Sequence, residues 1–418
     1  MNLHNINTIA GYEVKLLRRS WLFRIFAFLA LLVISTTILW YMTPVLNMFA
    51  TQWPEHAVAS QIPFYSITFY NIAQSVIVIF LAGSFLKRDK KLDTAEVIYV
   101  RPMSNADYII GKTWGIVRVF LSLNIITLVI TAFLHILIAK APFSIFPYIF
   151  YLFTVSLPSL LFVLGLSFMV MCVVKNQAVT FVVMLGIIAL EFFYIKDACY
   201  GVFDFFGAHI PALFSDVMGH NNLQIFLLQR FIFLMAGIGF ICFTIALVKR
   251  LPHKQWKIII VHSLGAASLA IALTAGGLYI LHHSKKMELR NEYITTYNRY
   301  ADAQRVNITD HTLTVTPNGK QLEGESRLVL VNRQDAPIKQ IILYLNPTLE
   351  ITAIENQGTP IAFQRDKQAI IIDKTLQSKD KTELTILYKG RIDETICYTD
   401  ILEKDYLDNT DQQHTFPI

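Results

Sequence analysis

Gly111-Lys112-Thr113 has the ending of a phosphate-binding loop, in which backbone N–H groups and a lysine cradle phosphates. That loop needs a glycine five residues before Gly111, where this chain has Ala106, and it needs a preceding strand. The stretch reads instead as a helix entering an apolar run. A zinc peptidase would need His-Glu-x-x-His, which sets two ligands one helical turn apart beside a general base, and the sequence has no such string. The four cysteines, Cys172, Cys199, Cys242 and Cys397, lack metal-ligand spacing, and only Cys199 and Cys397 are placed so that a disulfide between them is conceivable. His282-His283, next to Lys285 and Lys286, reads as a solvated boundary. The expectation is a non-catalytic chain with no cofactor and no metal.

Two charged residues remain that need a physical reason. Glu191 and Arg230 lie inside apolar runs, where an isolated charge is costly and asks for a partner. Glu191 sits near the outer end of the fifth run, and Arg230 about two turns into the sixth from the same side. The pair is expected to meet and fix an outer gate. Asn71, Gln74 and Asn124 are polar positions in the second and third runs, which helix-to-helix hydrogen bonds explain. Pro158 leaves a carbonyl without its helical partner and should kink the fourth run.

The elements that must hold these residues follow from composition. The 418 residues are 54% hydrophobic and only 16% charged, against roughly 25% in soluble proteins. Mean hydropathy is +0.47. The apolar residues concentrate in seven runs near 22–42, 64–86, 116–139, 147–174, 178–195, 223–248 and 258–282. Each approaches the ~20 residues of helix that cross a hydrocarbon core. The predicted fold class is an α-helical polytopic membrane protein with a C-terminal, extracytoplasmic, mainly β domain. Its parts are an interfacial amphipathic helix at 1–21, a six-helix domain at 22–250, a seventh crossing at 251–282, a helical linker at 283–305 and a β-domain at 306–418. Residues 196–222, apolar but broken by Gly201, Gly207, Pro211 and Gly219, suggest two short half-helices in a re-entrant outer segment. The first run is too long for a cleavable signal peptide.

Lys and Arg set the orientation. With the N-terminus inside, the inner segments hold sixteen of them, from Lys15 to Lys257, and the outer loops before the seventh run hold only Lys140 and Lys196. Seven crossings then export the C-terminal domain. Basic inner loops facing anionic lipids account for the net charge of +6 without nucleic acid. Between Ile9 and Arg24, helical spacing sets Ile9, Tyr12, Leu16, Leu17 and Phe23 against Lys15, Arg18 and Arg19, with Glu13 interrupting the apolar side and Trp21 at headgroup depth.

The inner segment 87–113 is too long for a simple turn. Asp93–Val100 has helical character, and Arg101-Pro102 ends it because a residue before proline avoids helical backbone. Ser104 caps a new helix, with Asp107 at its third position. An interfacial basic helix, a first crossing, this inner segment with Arg88, Asp89, Arg101, Pro102, Ser104, Tyr108, Gly111 and Lys112, four more crossings and a broken outer segment together resemble the permease subunits of type-2 ABC exporters. The resemblance covers 1–250. It implies that 87–113 is a coupling segment docking on a separate ABC ATPase, through Arg88, Asp89, Glu96, Arg101, Pro102, Ser104, Tyr108 and Lys112. It further implies a homo- or heterodimer of permease subunits in a bacterial inner membrane, contacting the first and fifth crossings.

From about Val306 the period changes to two. LTVT, SRLVLVN, QIILYLN, LEITAIEN, AIIID and ELTILYKG read as strands of a sandwich or curved sheet, separated by Asn-Gly and Gln-Gly turns. The stretch Leu343–Tyr398 resembles the N-terminal β-domain of thermolysin-like zinc aminopeptidases, without their catalytic motif, and is expected to be the front part of such a domain. Two functions compete: a transport subunit driven by a separate ATPase, or a membrane anchor whose β-domain binds an envelope peptidase or another extracytoplasmic partner. An ion-coupled carrier fits less well, since Glu191 is the one carboxylate within a crossing.

Overall fold

The computed structural model describes residues 2–42, 59–89, 103–138, 142–196, 198–210, 212, 214, 219–220, 222–248, 255–319, 321–397 and 399, with backbone alone for 40–42 and 83–89. It divides into two compact units, one up to Leu281 and one beginning at His282.

The first unit is helical: α1 (Leu3–Arg19), α2 (Trp21–Met42), α3 (Gln61–Asp89), α4 (Asn105–Ile138), α5 (Phe146–Tyr151), α6 (Leu157–Val174), α7 (Gln177–Leu190), α8 (Leu223–Leu247) and α9 (Gln255–Arg299), the last continuing into the second unit. Among the described residues, seven helical spans are long and apolar enough to cross a membrane, one over each expected run; the third begins at Asn105 and the seventh extends to Arg299, 11 and 17 residues beyond the expected bounds. Ahead of Pro158 the chain widens into a π-helical turn, Leu152–Ser156, and a second such turn, Glu191–Ile195, ends α7. A wide turn absorbs the backbone that proline leaves unpaired, and it re-aims the side chains it carries.

Two helix crossings depend on glycine. A Cβ on Gly165 would meet the Gly237 carbonyl at 2.6 Å, so α6 and α8 touch backbone to backbone. The α8–α9 contact uses the same device: a Cβ on Gly239 would stand 3.2 Å from the Gly265 carbonyl, and Ser268 Oγ donates to the Met235 carbonyl at 2.7 Å. Small residues allow such approach, and dispersion between the closely packed helices then holds them together. The seventh helix is therefore packed into the first unit.

The amphipathic N-terminal helix differs from the expectation in extent and face. It ends at Arg19, and Ser20 leaves the helical region, its N–H bonding to the Leu16 and Leu17 carbonyls. Its buried stripe is Ile6, Ala10, Glu13 and Leu17, whereas Tyr12 is 64% exposed. The stripe is set by what α4 presents to it. The outer half-helices are also absent: among the described residues of 196–222 none is helical. Hydrogen bonds to buried side chains take the place of helical ones there.

The second unit contains the end of α9, β1 (Asn307–Asn318), β2 (Gln321–Val331), β3 (Ile341–Tyr344), β4 (Leu349–Asn356), β5 (Thr359–Pro360), β6 (Gln364–Asp366), β7 (Ala369–Ile372) and β8 (Lys381–Gly390). The linker expected at 283–305 is thus helical to Arg299 and continuous with the seventh run. A five-stranded sheet runs β1-β2-β8-β4-β5 and a three-stranded sheet β3-β7-β6, with every pairing antiparallel. Leu328, Leu330, Ile354, Leu384 and Ile386 of the larger sheet pack with Ile341, Ile370 and Ile372 of the smaller. α9 is tied to this unit by Tyr293, whose hydroxyl donates to Asp393 at 2.9 Å and whose carbonyl accepts from Gln368 at 2.6 Å.

Candidate functional site

Two polar constructions stand out in the first unit. The first joins α1 to the start of α4. Ser104 Oγ accepts from the Asp107 N–H at 3.0 Å while Asp107 accepts from the Ser104 N–H at 3.1 Å, a reciprocal cap that satisfies two backbone donors at once. The Asp107 carboxylate also accepts from the Asn2 N–H at 2.9 Å, so the cap of α4 holds the start of α1. One helical turn on, Lys112 Nζ is 3.8 Å from Glu13 Oε2, with both side chains about 95% buried or more. Lys112 also lies 5.1 Å from the centre of the Tyr108 ring. Farther along, Arg118 donates to Asn7 at 2.5 Å. Gly111 and Gly115 make the contact close: a Cβ on either would fall within 2.8 Å of Ile9 or Glu13 side-chain carbon.

These facts sort the expected coupling residues. Glu96, Arg101 and Pro102 lie outside the described residues. Arg88 and Asp89 form the end of α3, with backbone alone described. Ser104, Tyr108 and Lys112 are brought together, but Tyr108 and Lys112 are buried against α1. Their side chains hold a helix and do not line an open face. Glu13 interrupts an apolar stripe in the sequence, and that interruption was the one visible sign of a buried ion pair. Asn105, whose Nδ2 donates to the Val248 carbonyl, gave no sign.

The second construction is a continuous buried network. Asn124 Nδ2 donates to Gln74 Oε1 at 3.0 Å, Gln74 Nε2 to Asn71 Oδ1 at 2.7 Å, and Asn71 Nδ2 to the Phe206 carbonyl at 3.0 Å. Ser156, carried by the π-helical turn, donates to Asn124 Oδ1 at 2.7 Å, and Ser159 donates to the Phe205 carbonyl. The polar positions expected to bond helix to helix do so, and they also reach the outer segment. Arg230 is 2% exposed. Its guanidinium donates to Gln229 Oε1, to the Asp204 and Phe205 carbonyls and weakly to Ser159. Gln229 Nε2 donates to the carbonyls of Gly201 and Asp204. Asp204 accepts from the N–H groups of Gly207 and His209, both at 2.7 Å.

Segment 201–209 is thus wrapped around Arg230 and Gln229, whose side chains satisfy the carbonyls of Gly201, Asp204 and Phe205 where irregular backbone is buried. Glu191 and Arg230 belong to one electrostatic group with Asp204. Arg230 spends its hydrogen bonds on carbonyls and Gln229, and the structure shows no ion pair between it and Glu191. Asp204 and Gln229 were missed in the sequence, although Asp204 lies between Gly201 and Gly207 and Gln229 adjoins Arg230. The chain matches no protein-family model and no curated protein.

Proposed function

We propose that this chain is the permease subunit of an ABC-type exporter. A separate ATPase subunit grips segment 87–113 from the cytoplasm, and two permease subunits, identical or different, form the translocation unit in a bacterial inner membrane. The observation that carries the reading is the α1–α4 clamp. The segment that would meet the motor leads directly into a helix whose first three turns are locked to α1 by Asp107, Lys112 and the contacts of Gly111 and Gly115. A push on residues 90–102 would move a stiff helix pair, and not a loose connection. In this reading Ser104, Tyr108 and Lys112 are positioning residues behind the docking surface, which falls to Arg88, Asp89, Glu96, Arg101 and Pro102. Supporting it are seven apolar helices and sixteen inner Lys and Arg against two outer ones before the seventh. The exported β-domain, similar to part of an aminopeptidase but lacking the zinc motif, would take no part in catalysis.

The test is recovery of an ATPase with the tagged full-length chain, followed by ATPase assays. An Arg101→Ala/Pro102→Ala variant should fold yet fail to retain or stimulate the ATPase. Unchanged recovery and stimulation would refute the coupling role.

One observation favours the second reading, an anchor whose β-domain binds an extracytoplasmic partner. β1 is exposed along its whole length at the edge of the five-stranded sheet, with Ile308, Leu313 and Val315 about half exposed. An open edge of this kind accepts another strand. Purification with an envelope protein and no ATPase would favour it.

A further inference from the structure

Glu191, Asp204 and Arg230 are each at most 2% exposed. With both acids ionised these three buried groups would hold two negative charges and one positive, an imbalance away from water that proteins avoid strongly; Lys196, which also acts on Glu191, is only half-buried. The hydrogen bonds show where the imbalance falls. Asp204 has an amide donor for each oxygen. Arg230 has committed its donors to Gln229, Ser159 and two carbonyls. Glu191 is the member with no donor: both carboxyl oxygens are buried and neither receives a hydrogen bond. Asp204, Arg230 and Lys196, the last just beyond the wide turn that Glu191 begins, are the charged groups that act on it. Tyr279 of α9, whose hydroxyl donates to the Tyr200 carbonyl at 2.8 Å, lies within electrostatic reach of Arg230.

We propose that the Glu191–Asp204 pair is a proton-binding site. One proton resides on the Glu191 carboxyl and faces the Asp204 carboxylate, which remains ionised to hold the amides of Gly207 and His209. The proton brings the cluster to neutrality. Its release leaves two carboxylates against one guanidinium, and the strain is relieved by Glu191 withdrawing from segment 201–209. The wide turn that begins at Glu191 gives the backbone a place to yield. The site would make the outer segment responsive to proton binding, whatever drives the protein from the other side.

Glu191→Gln copies the protonated acid, whereas Asp204→Asn removes a charge that two amides require. Infrared difference spectra of the full chain in lipid nanodiscs at neutral pH, wild type minus Glu191→Gln, should show the carbonyl stretch of a protonated carboxylic acid. The band should shift in deuterium oxide. Glu191→Gln should keep the wild-type thermal midpoint at neutral pH and lose the fall in midpoint that the wild type shows on alkalinisation. Asp204→Asn should lower the midpoint at every pH. The proposal is overturned if the difference spectrum lacks the band. It is also overturned if Glu191→Gln fails to fold or unfolds at clearly lower temperature, since an amide that cannot replace the acid means the acid is ionised.

Discussion

The Lys112 ammonium stands 3.8 Å from the Glu13 carboxylate, across the face where α1 and α4 are in contact, and each side chain is about 95% buried or more. Buried ion pairs are poor sources of net stability, yet losing one partner strands the other. Glu13→Gln and Lys112→Gln should each destabilise the first unit by about 3 kcal/mol, while the double variant should cost clearly less than the two together. Thermal unfolding of all four proteins in the same detergent closes the cycle. Simple additivity would show that the two charges do not interact.

The glycines of α4 test the clamp without touching charge. Gly115→Ala places a methyl 2.7 Å from Glu13 Cβ and 2.9 Å from the Ala10 carbonyl, and Gly111→Ala places one 2.8 Å from Ile9 Cβ. Backbone and side-chain stems yield poorly, so each substitution should cost about 1–3 kcal/mol and loosen α1. Gly11 has nothing within 4 Å of such a methyl, and Gly11→Ala should be neutral or stabilising because it sits in mid-helix. Protease susceptibility of α1 separates the three.

Segment 201–209 offers a similar contrast. Gly207 has φ +74° and its missing Cβ would lie 2.6 Å from Arg230 Nη1, whereas Gly219 has φ +70° and open space. Both alanine variants carry the backbone strain of about 1–2 kcal/mol. Gly207→Ala should cost more, and hydrogen exchange should show the loss at the amides of Gly207 and His209. Equal effects would mean that Arg230 does not organise the segment.

The second unit carries a pH dependence of known sign. Burial pulls the Asp393 carboxyl up, but hydrogen bonds from Thr395 and Tyr293 outweigh it and hold the group below the usual carboxylate range. An acid depressed in the folded state contributes stability that is present above its unfolded value of about 3.9 and is lost as pH falls through the lower folded value. Exchange at the amides around Thr395 should therefore accelerate below about pH 4 in the wild type, beyond the intrinsic trend. Asp393→Asn should flatten that response and start from a lower protection. An identical acid response in the variant would exclude Asp393 as the source.

The sequence was most legible where a single period decides the element. Apolar runs long enough to cross a membrane became α2, α3, α4, α5 with α6, α7, α8 and α9, and alternation became β2 and β8, because burial of one face or of a whole helix is written into consecutive residues. Ser104 and Asp107 were legible for the same local reason, since a cap needs two residues three apart. The face of α1 was not. Its stripe runs through Glu13 because Lys112, 99 positions away, is waiting there, and the local pattern shows only the interruption, not the partner. The wrapping of 201–209 was hidden likewise. Greasy, glycine-broken sequence suggests half-helices, but Asp204, Gln229 and Arg230 supply the hydrogen bonds that helices would otherwise make. Arg230 was recognised as needing a partner, and the backbone proved to be that partner.

The most direct test of the account is the side of the membrane on which residues 87–113 lie. In otherwise cysteine-free protein, Thr94→Cys and, separately, the native Cys397 would be exposed in intact cells to a thiol reagent that cannot cross the inner membrane. The account predicts that Cys397 reacts from outside, while the thiol of Thr94→Cys reacts only after the membrane is opened. Labelling of Thr94→Cys in intact cells would place the segment beyond reach of any cytoplasmic ATPase and contradict the account.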